Sequence, residues 1–346
     1  VKHILYLMFI KKKIELSKHK FKINVLILLS LIFLIIFLSL SNGSVKLSGE
    51  EVFNALLRQG DEINQIIIWE LRFPRLLASL LTGAALGTSG ALLQGMLKNG
   101  LASPYLLGIS AGSGLVIILL ISFGFWLPFL PIVAWIGGII TTSIVFLLAK
   151  TNRGISVERL ILAGVALSSL FGAIQSMILL QTEDGRVQSA LTWLIGSLNS
   201  RGWAELKLAS GPILFALIIS IFLSKQLNLL NLGDDISISL GNPLNRSRCL
   251  IGASATLLAA SSVSIGGLIG FIGLIVPHAV RSLFGRDYKI VVPFSALLGG
   301  FTLSTADLVA RSGSVELPVG IITSLLGSPI FIFLLYKNKK LTNKKI

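Results

Sequence analysis

Two arginines flank a phenylalanine and a proline in the segment Arg72-Phe-Pro-Arg75, at the start of a long apolar run. A guanidinium group carries a planar fork of N–H donors that binds a carboxylate through two hydrogen bonds, so paired arginines at a membrane boundary suit the reversible docking of an acidic protein. Internal ion pairs, for example with Glu70 or Asp307, would explain the same residues, and so would side chains that reach the lipid headgroups. Arg311, at the end of another apolar run, has the same alternatives.

The chain holds few groups that bind metals or catalyse reactions. Its three histidines are His3, His19 and His278, and Cys249 is its single cysteine. Two of the histidines lie in the basic N-terminal segment, so no cluster of ligands forms around His278, and we predict no metal site and no cofactor. We expect His278 to be structural. The serines of the apolar runs have no histidine nearby, and we therefore predict that the protein is not an enzyme.

The chain has no sequence motif of its own for binding ATP. No Gly-x-x-x-x-Gly-Lys-Ser/Thr sequence occurs, so the chain cannot hold ATP phosphates in the manner of a P-loop protein. One function class to consider is a secondary transporter coupled to protons or sodium. Such proteins normally carry an ionisable residue inside their membrane helices. The uncharged runs of this chain argue against that class.

Long apolar segments must position these residues. The 346-residue chain is 53% hydrophobic and 13% charged, with a mean hydropathy of +0.86, far from the values of a soluble domain. Charged residues are absent from the runs 76–97, 101–149, 160–182, 208–224, 249–280, 290–306 and 317–336. At about 20 residues per span, these runs and the segment 21–40 predict an all-α membrane protein with about ten transmembrane helices.

The charged residues lie at the ends of these predicted spans. If the spans alternate and both termini are cytoplasmic, 22 of the 30 Lys and Arg residues lie on the inner side and eight on the outer side. This asymmetry follows the positive-inside rule and predicts a multi-pass protein with both termini in the cytoplasm. Topology thereby explains the net charge of +15, and we predict no nucleic-acid partner.

Polar segments divide the chain into three parts. Residues 1–22 are predicted to form a basic cytoplasmic segment, residues 23–336 a single transmembrane domain, and residues 337–346 a basic cytoplasmic tail. The longest polar interruption on the inner side covers about 225–247. On the outer side, the segment 47–58 has a serine that could cap a helix, acids in the first turn and apolar residues at helical spacing, which predicts a short amphipathic helix.

Four segments carry a more specific pattern. They are Leu71-Arg-Phe-Pro-Arg75 with Gly83-Ala-Ala-Leu-Gly87, Lys98-Asn-Gly-Leu-Ala-Ser-Pro104, Gly267-Leu-Ile-Gly-Phe-Ile-Gly-Leu-Ile-Val-Pro-His-Ala-Val-Arg281, and Ala306-Asp-Leu-Val-Ala-Arg311 with Glu316-Leu-Pro-Val-Gly320. Together they resemble the FecCD-like, or vitamin B12-type, permeases of bacterial ATP-binding cassette (ABC) importers for iron-siderophores, haem and cobalamin. One position departs from the family, because Gly100 stands where a proline is usual.

The resemblance implies a type II ABC importer permease fold in the bacterial cytoplasmic membrane. Its partners would be membrane lipid, a second permease in a homodimer or heterodimer, a dimer of ATP-binding subunits and an extracytoplasmic substrate-binding protein or lipoprotein. It implies that Arg72, Arg75 and Arg311 face outward and pair with glutamates of the binding protein. The implied cargo is an iron-siderophore, with haem and cobalamin as alternatives.

The resemblance also implies roles for residues at the inner side. The segment that would fit a cleft of the ATPase subunit contains Leu232, Gly233, Asp234, Asp235, Leu240 and Gly241. We expect Gly233 to end one helix and Asp234 to cap the next. Gln94, Asn99 and Leu101 are candidates for closing the passage, while satisfying backbone polar groups is an equal explanation for the two amides.

Overall fold

The computed structural model describes residues 2–124, 130–151, 154–313 and 315–342. Its helices are α1 (Lys2–Ser41), α2 (Gly49–Leu56), α3 (Glu62–Ile66), a π-helical turn (Ile67–Arg72), α4 (Phe73–Met96), a 3-10 turn (Pro104–Leu107), α5 (Ile109–Ser122), α6 (Leu130–Ala149), α7 (Val157–Leu179), α8 (Asp184–Ile195), α9 (Trp203–Asn231), α10 (Asp234–Ser239), α11 (Leu244–Gly266), α12 (Ile272–Phe284), α13 (Tyr288–Ala310) and α14 (Val319–Thr342). Strands β1 (Lys150–Thr151) and β2 (Gly154–Ile155) pair antiparallel between α6 and α7.

Ten of the described helices have the composition of membrane spans. Helices α1, α4 with the turns before it, α6, α7, α9, α11 and α13 are long and apolar enough to cross a membrane. Helices α5, α12 and α14 have shorter apolar stretches, of 10–17 residues. The predicted number of about ten spans therefore agrees with the structure.

Helices α4 and α11 form the centre of the bundle. Their apolar stretches are 78% buried, whereas that of α7 is 6% buried. Helix α4 packs against α11 and α13, and it approaches α13 so closely that a methyl group added at Gly83 would overlap the carbonyl oxygen of Gly299. Small residues let the backbones of two helices approach this closely. In lipid, where no hydrophobic force drives helices together, such close packing stabilises their contact.

The region before α4 differs from the prediction. Instead of a new span beginning near residue 76, helical structure runs without a break from Glu62 to Met96. Pro74 has no N–H group to donate to the carbonyl of Glu70, and the turn before it widens into the π-helical turn. Arg72 therefore lies inside a continuous helix and is buried.

Some boundaries also differ from those predicted. Helix α1 passes residue 22 and α14 passes residue 336 without interruption, so each predicted basic terminal segment shares a helix with a span. Val1 and residues 343–346 of these segments lie outside the described residues. The predicted amphipathic helix is present as α2, where the Ser48 hydroxyl accepts a hydrogen bond from the Glu51 N–H and the Glu51 carboxylate accepts one from the Ser48 N–H.

Candidate docking and coupling sites

Helix α4 separates two clusters of charged residues. Arg72 and Arg75 lie at its beginning, and Lys98 lies two residues beyond its last residue. At 1.5 Å per residue, 24 helical residues span about 36 Å, close to the thickness of a bilayer core. The predicted docking residues and coupling residues thus lie at opposite ends of the bundle, called here the arginine face and the loop face.

Two carboxylates hold Arg75 on the arginine face. Its Nε lies 3.1 Å from both carboxylate oxygens of Asp307, and its Nη2 lies 2.7 Å from Oδ1 of Asp307. The same Nη2 lies 2.7 Å from Oε1 of Glu316. Asp307 is enclosed, with a side chain 1% exposed, whereas the side chain of Glu316 is 32% exposed. The internal pairing with Asp307 is present, and within the described residues Glu70 forms no ion pair.

Arg72 and Arg311 fasten the end of α1 to the rest of the bundle. Arg72 donates hydrogen bonds to three backbone carbonyls in the segment 39–45, and Arg311 donates to two others in that segment. The Nε of Arg311 also lies 3.7 Å from Oδ2 of Asp307. All three predicted docking arginines therefore belong to one internal network, and their pairing with a binding protein stays a prediction.

These residues border a cavity of about 1290 Å³, called here the arginine cavity. Its charged lining residues are Lys46, Arg72, Arg75, Arg201, Arg311, Glu70 and Glu316. Five cations thus face two carboxylates. Such an excess of positive charge favours contact with an acidic surface.

On the loop face, Gly233 directly follows the C-cap of α9, as the sequence predicts, but Asp234 does not cap α10. The structure has Gly233 at the N-cap position, with a φ of +114° that favours glycine, and Asp234 as the first residue of α10, so the predicted capping by Asp234 is wrong. Its carboxylate binds two cations instead: Oδ1 lies 2.7 Å from Nζ of Lys98, and Oδ2 lies 2.7 Å from Nη2 of Arg248. Burial acts to raise the pKa of Asp234, but these hydrogen bonds and charges outweigh it and hold the pKa below its ordinary value.

Apolar side chains around α10 are exposed. Leu232, Ile236, Ile238 and Leu240, called here the loop patch, each expose more than half of their surface. Asp235 and Gly241 are exposed beside them. Large apolar residues that remain exposed among charged ones are typical of surfaces that contact another protein or a membrane. The predicted coupling residues therefore lie in and beside the loop patch, and the sequence analysis did not identify this segment as an exposed apolar surface.

The gate candidates lie in and after the last turn of α4. Gln94 is buried, and its Nε2 is within 3.3 Å of three backbone carbonyl oxygens, those of Ala102, Gly273 and Leu274. The Asn99 side chain accepts a hydrogen bond from the N–H of Leu101, whose own side chain is about half exposed. Both amides thus satisfy backbone groups, and a gating role for the three residues stays a prediction.

A second cavity, of about 840 Å³, lies between α8, α14, the 3-10 turn and the loop that joins α11 to α12. Within the described part of the chain, its lining contains no charged residue and consists mainly of apolar side chains such as Tyr105, Leu268 and Phe271, with a few serines. Phe271 has a φ of +65°, which is rare for a residue with a side chain. This apolar cavity was not predicted, although the glycine-rich segment 266–273 is a signal of irregular backbone within a span.

The sequence analysis missed other contacts of these sites. The pairing of Glu316 with Arg75 joins residues far apart in the chain, and that of Arg248 with Asp234 joins two different helices 14 residues apart. No local sequence pattern predicts either pairing. Lys98 offered a signal, because it is the single charged residue between the uncharged runs 76–97 and 101–149.

Comparison with known proteins assigns the fold to a family. The family model of the FecCD transport family matches residues 31–337. The chain belongs to the FecCD transport family. This FecCD permease is 37% identical to the hemin transport system permease protein HmuU of Yersinia pestis, over 79% of this chain and 84% of that protein. It is 34% identical to the iron(3+)-hydroxamate import system permease protein FhuG of Bacillus subtilis, over 89% and 94%.

A solved structure supports the same assignment. The FecCD permease superposes with a TM-score of 0.81 on a chain of an ABC transporter of the metal-chelate type in an inward-facing conformation, with 34% identity over 90% of this chain and 97% of that one. The protein is thus an ABC importer permease with the type II fold, a membrane-spanning subunit and not an enzyme. The family implies that it works with an ATPase, a substrate-binding protein and a second permease.

Proposed function

We propose that this FecCD permease imports an iron-siderophore complex across the cytoplasmic membrane. The observation that carries the proposal is the apolar cavity of about 840 Å³, which has no charged side chain among the lining residues that the structure describes. A wall of this kind accepts a bulky chelate without holding it tightly, so the complex can leave on the other side. The likeness to the iron-hydroxamate permease supports a siderophore as cargo. Haem is the second candidate, favoured by the likeness to the hemin permease, and cobalamin is the third.

The loop patch is proposed as the contact with the ATPase subunit. Leu232, Ile236, Ile238 and Leu240 would fill an apolar cleft of that subunit, and Gly233, Asp234, Asp235 and Gly241 would shape the segment that enters it. Exposed apolar surface of this kind is costly unless a partner covers it. Because the segment 225–247 lies opposite the arginine face, this role assigns the loop face to the cytoplasm, together with both termini.

The arginine cavity is proposed as the contact with the substrate-binding protein. Arg75 holds both an enclosed carboxylate, Asp307, and a more exposed one, Glu316. We propose that a glutamate of the binding protein replaces Glu316 on Arg75, while Asp307 stays bound. Arg72 and Arg311 would then serve docking mainly by keeping the cavity in shape, since their donors bind the segment 39–45.

The cargo is tested by uptake in cells that lack this chain. We would supply radiolabelled iron as a ferric hydroxamate, as a ferric catecholate, as ferric citrate and as haem, together with labelled cobalamin. We expect the loss of uptake of at least one ferric siderophore, restored by the wild-type chain. Loss of haem or cobalamin uptake alone would replace the siderophore with that cargo, and unchanged uptake of all five would contradict the importer function in these cells.

A further inference from the structure

We infer that Asp234 is a positioning residue that transmits movement of α10 to the inner ends of the two central helices. The inference rests on the proposed contact of the loop patch with the ATPase subunit. Its basis is one carboxylate that bridges Lys98, just after α4, and Arg248, in the first part of α11, at 2.7 Å each. A push on α10 therefore acts on both helices at once.

Few other contacts fix α10. Ser237 is its one buried residue within the described part of the chain, and the other residues after Asp234 are exposed. Hydrogen bonds from Asn242 to the Ser237 hydroxyl and from the Ser247 hydroxyl to Asn242 tie the C-terminal end of α10 to α11. Among the described residues, Asp234 is the one side chain of α10 with a hydrogen bond or ion pair to the segment that follows α4.

Lys98 occupies an unusual backbone position. Helix α4 ends in a Schellman-type turn, in which the N–H of Asn99 bonds to the carbonyl of Gln94, and Lys98 is the residue in the left-handed conformation, with a φ of +50°. Glycine fits that position without strain, whereas lysine does not. The lysine side chain therefore has a use that offsets the strain, and its bond to Asp234 supplies one.

The turn that Lys98 closes leads to the gate candidates. Asn99 and Leu101 follow it directly, and Gln94 in the preceding turn binds the carbonyls of Gly273 and Leu274 on α12. A displacement of Lys98 would therefore be passed to the gate candidates and to the first turn of α12 through these contacts.

Arg248 carries the other branch of the bridge. It is buried, and its Nη1 donates a hydrogen bond to the carbonyl of Ile155 in β2, two residues before α7 begins. The Asn245 side chain accepts a hydrogen bond from the N–H of the same residue. Movement of Asp234 thus also reaches the start of α7, the least buried of the long spans.

The test uses the permease assembled with its ATPase subunit in lipid vesicles, and it measures ATPase binding, basal ATP hydrolysis and substrate moved per ATP. We expect Lys98→Met to keep the first two values, and we expect both Lys98→Met and Asp234→Asn to lower substrate moved per ATP by about tenfold, within the usual range of coupling between sites. The double variant should be no worse than Asp234→Asn alone, because Asp234→Asn already breaks the contact with Lys98. Lys98→Arg should retain coupling. Glu50→Gln, at an exposed carboxylate in the first turn of α2 and away from both branches of the bridge, is the matched control.

The outcomes separate this inference from the proposed function. Ile236→Asp should abolish ATPase binding if the loop patch is the contact, and unchanged binding would overturn the proposed function. If Ile236→Asp abolishes binding while Asp234→Asn couples like the wild type, the inference alone fails. Loss of ATPase binding in both Asp234→Asn and Lys98→Met would also overturn it, since the bridge would then serve assembly and not transmission. Additive losses in the double variant would show that the two residues act separately, against the inference.

Discussion

Replacement of Asp307 by asparagine tests the internal network of the arginine face. The carboxylate is 1% exposed, makes three close contacts with Arg75 at 2.7–3.1 Å and lies 3.7 Å from Arg311. Asparagine keeps the shape but removes the negative charge between two guanidinium groups. Loss of one partner from a buried ion pair costs roughly 3–5 kcal/mol. Glu316 compensates in part, because it stays on Arg75, so we expect the lower end of that range.

The assay is thermal unfolding of the purified permease in detergent, with Glu316→Gln as the matched control. Both variants remove one carboxylate from Arg75, but Glu316 is 32% exposed, and exposed pairs contribute about 0–1 kcal/mol. We therefore expect a clearly lower unfolding midpoint for Asp307→Asn and a nearly unchanged one for Glu316→Gln. Equal midpoints for the two variants would refute the idea that Asp307 is the central anion of this face.

Three further predictions concern docking, packing and pH. Glu316→Gln should increase the affinity for the substrate-binding protein several-fold in a binding assay, because Arg75 no longer has to release an internal carboxylate; an equal gain in Glu70→Gln, which lines the same cavity, would reduce the effect to net charge. Gly83→Val should lower the unfolding midpoint and the yield, because the added side chain would overlap Gly299. Gly202→Ala should change neither value, because the space around Gly202 is open. Normal stability of Gly83→Val would contradict the close packing of α4 and α13. Because the pKa of Asp234 is lowered, its bridge stabilises the fold above about pH 4, and this stabilisation is lost as the pH falls below that value. Between about pH 8 and pH 5, substrate moved per ATP should therefore not change through Asp234. A loss in that range that is absent from Asp234→Asn would contradict this prediction.

The architecture could be predicted because lipid restricts the choice of sequence. Uncharged runs of about 20 residues must be helices in a bilayer, and the capping residues around Ser48 act locally, so the spans and α2 follow from composition and spacing. The pairing of β1 with β2 could not be predicted, because two-residue strands are too short to show an alternating pattern. Helix α8 could not be predicted as a span either, since its 12 residues are too few to cross a bilayer.

The sites could be predicted only in part. The family resemblance located the arginines and the loop around α10, yet it could not show that Arg75 divides its donors between Asp307 and Glu316, since that depends on where three separate segments meet. Asp234 illustrates the same limit. The local sequence, an aspartate after a glycine, predicts a helix cap. In the structure, the carboxylate instead binds two cations, one from α11 and one from the turn after α4.

The most direct test of the account is accumulation of a ferric siderophore in vesicles that contain the permease, with the ATPase subunit, the binding protein and ATP supplied separately. The account predicts accumulation only when all components and ATP are present, and none with Ile236→Asp, whose change lies in the loop patch. Accumulation driven by a proton or sodium gradient without ATP would contradict the account and favour a secondary transporter.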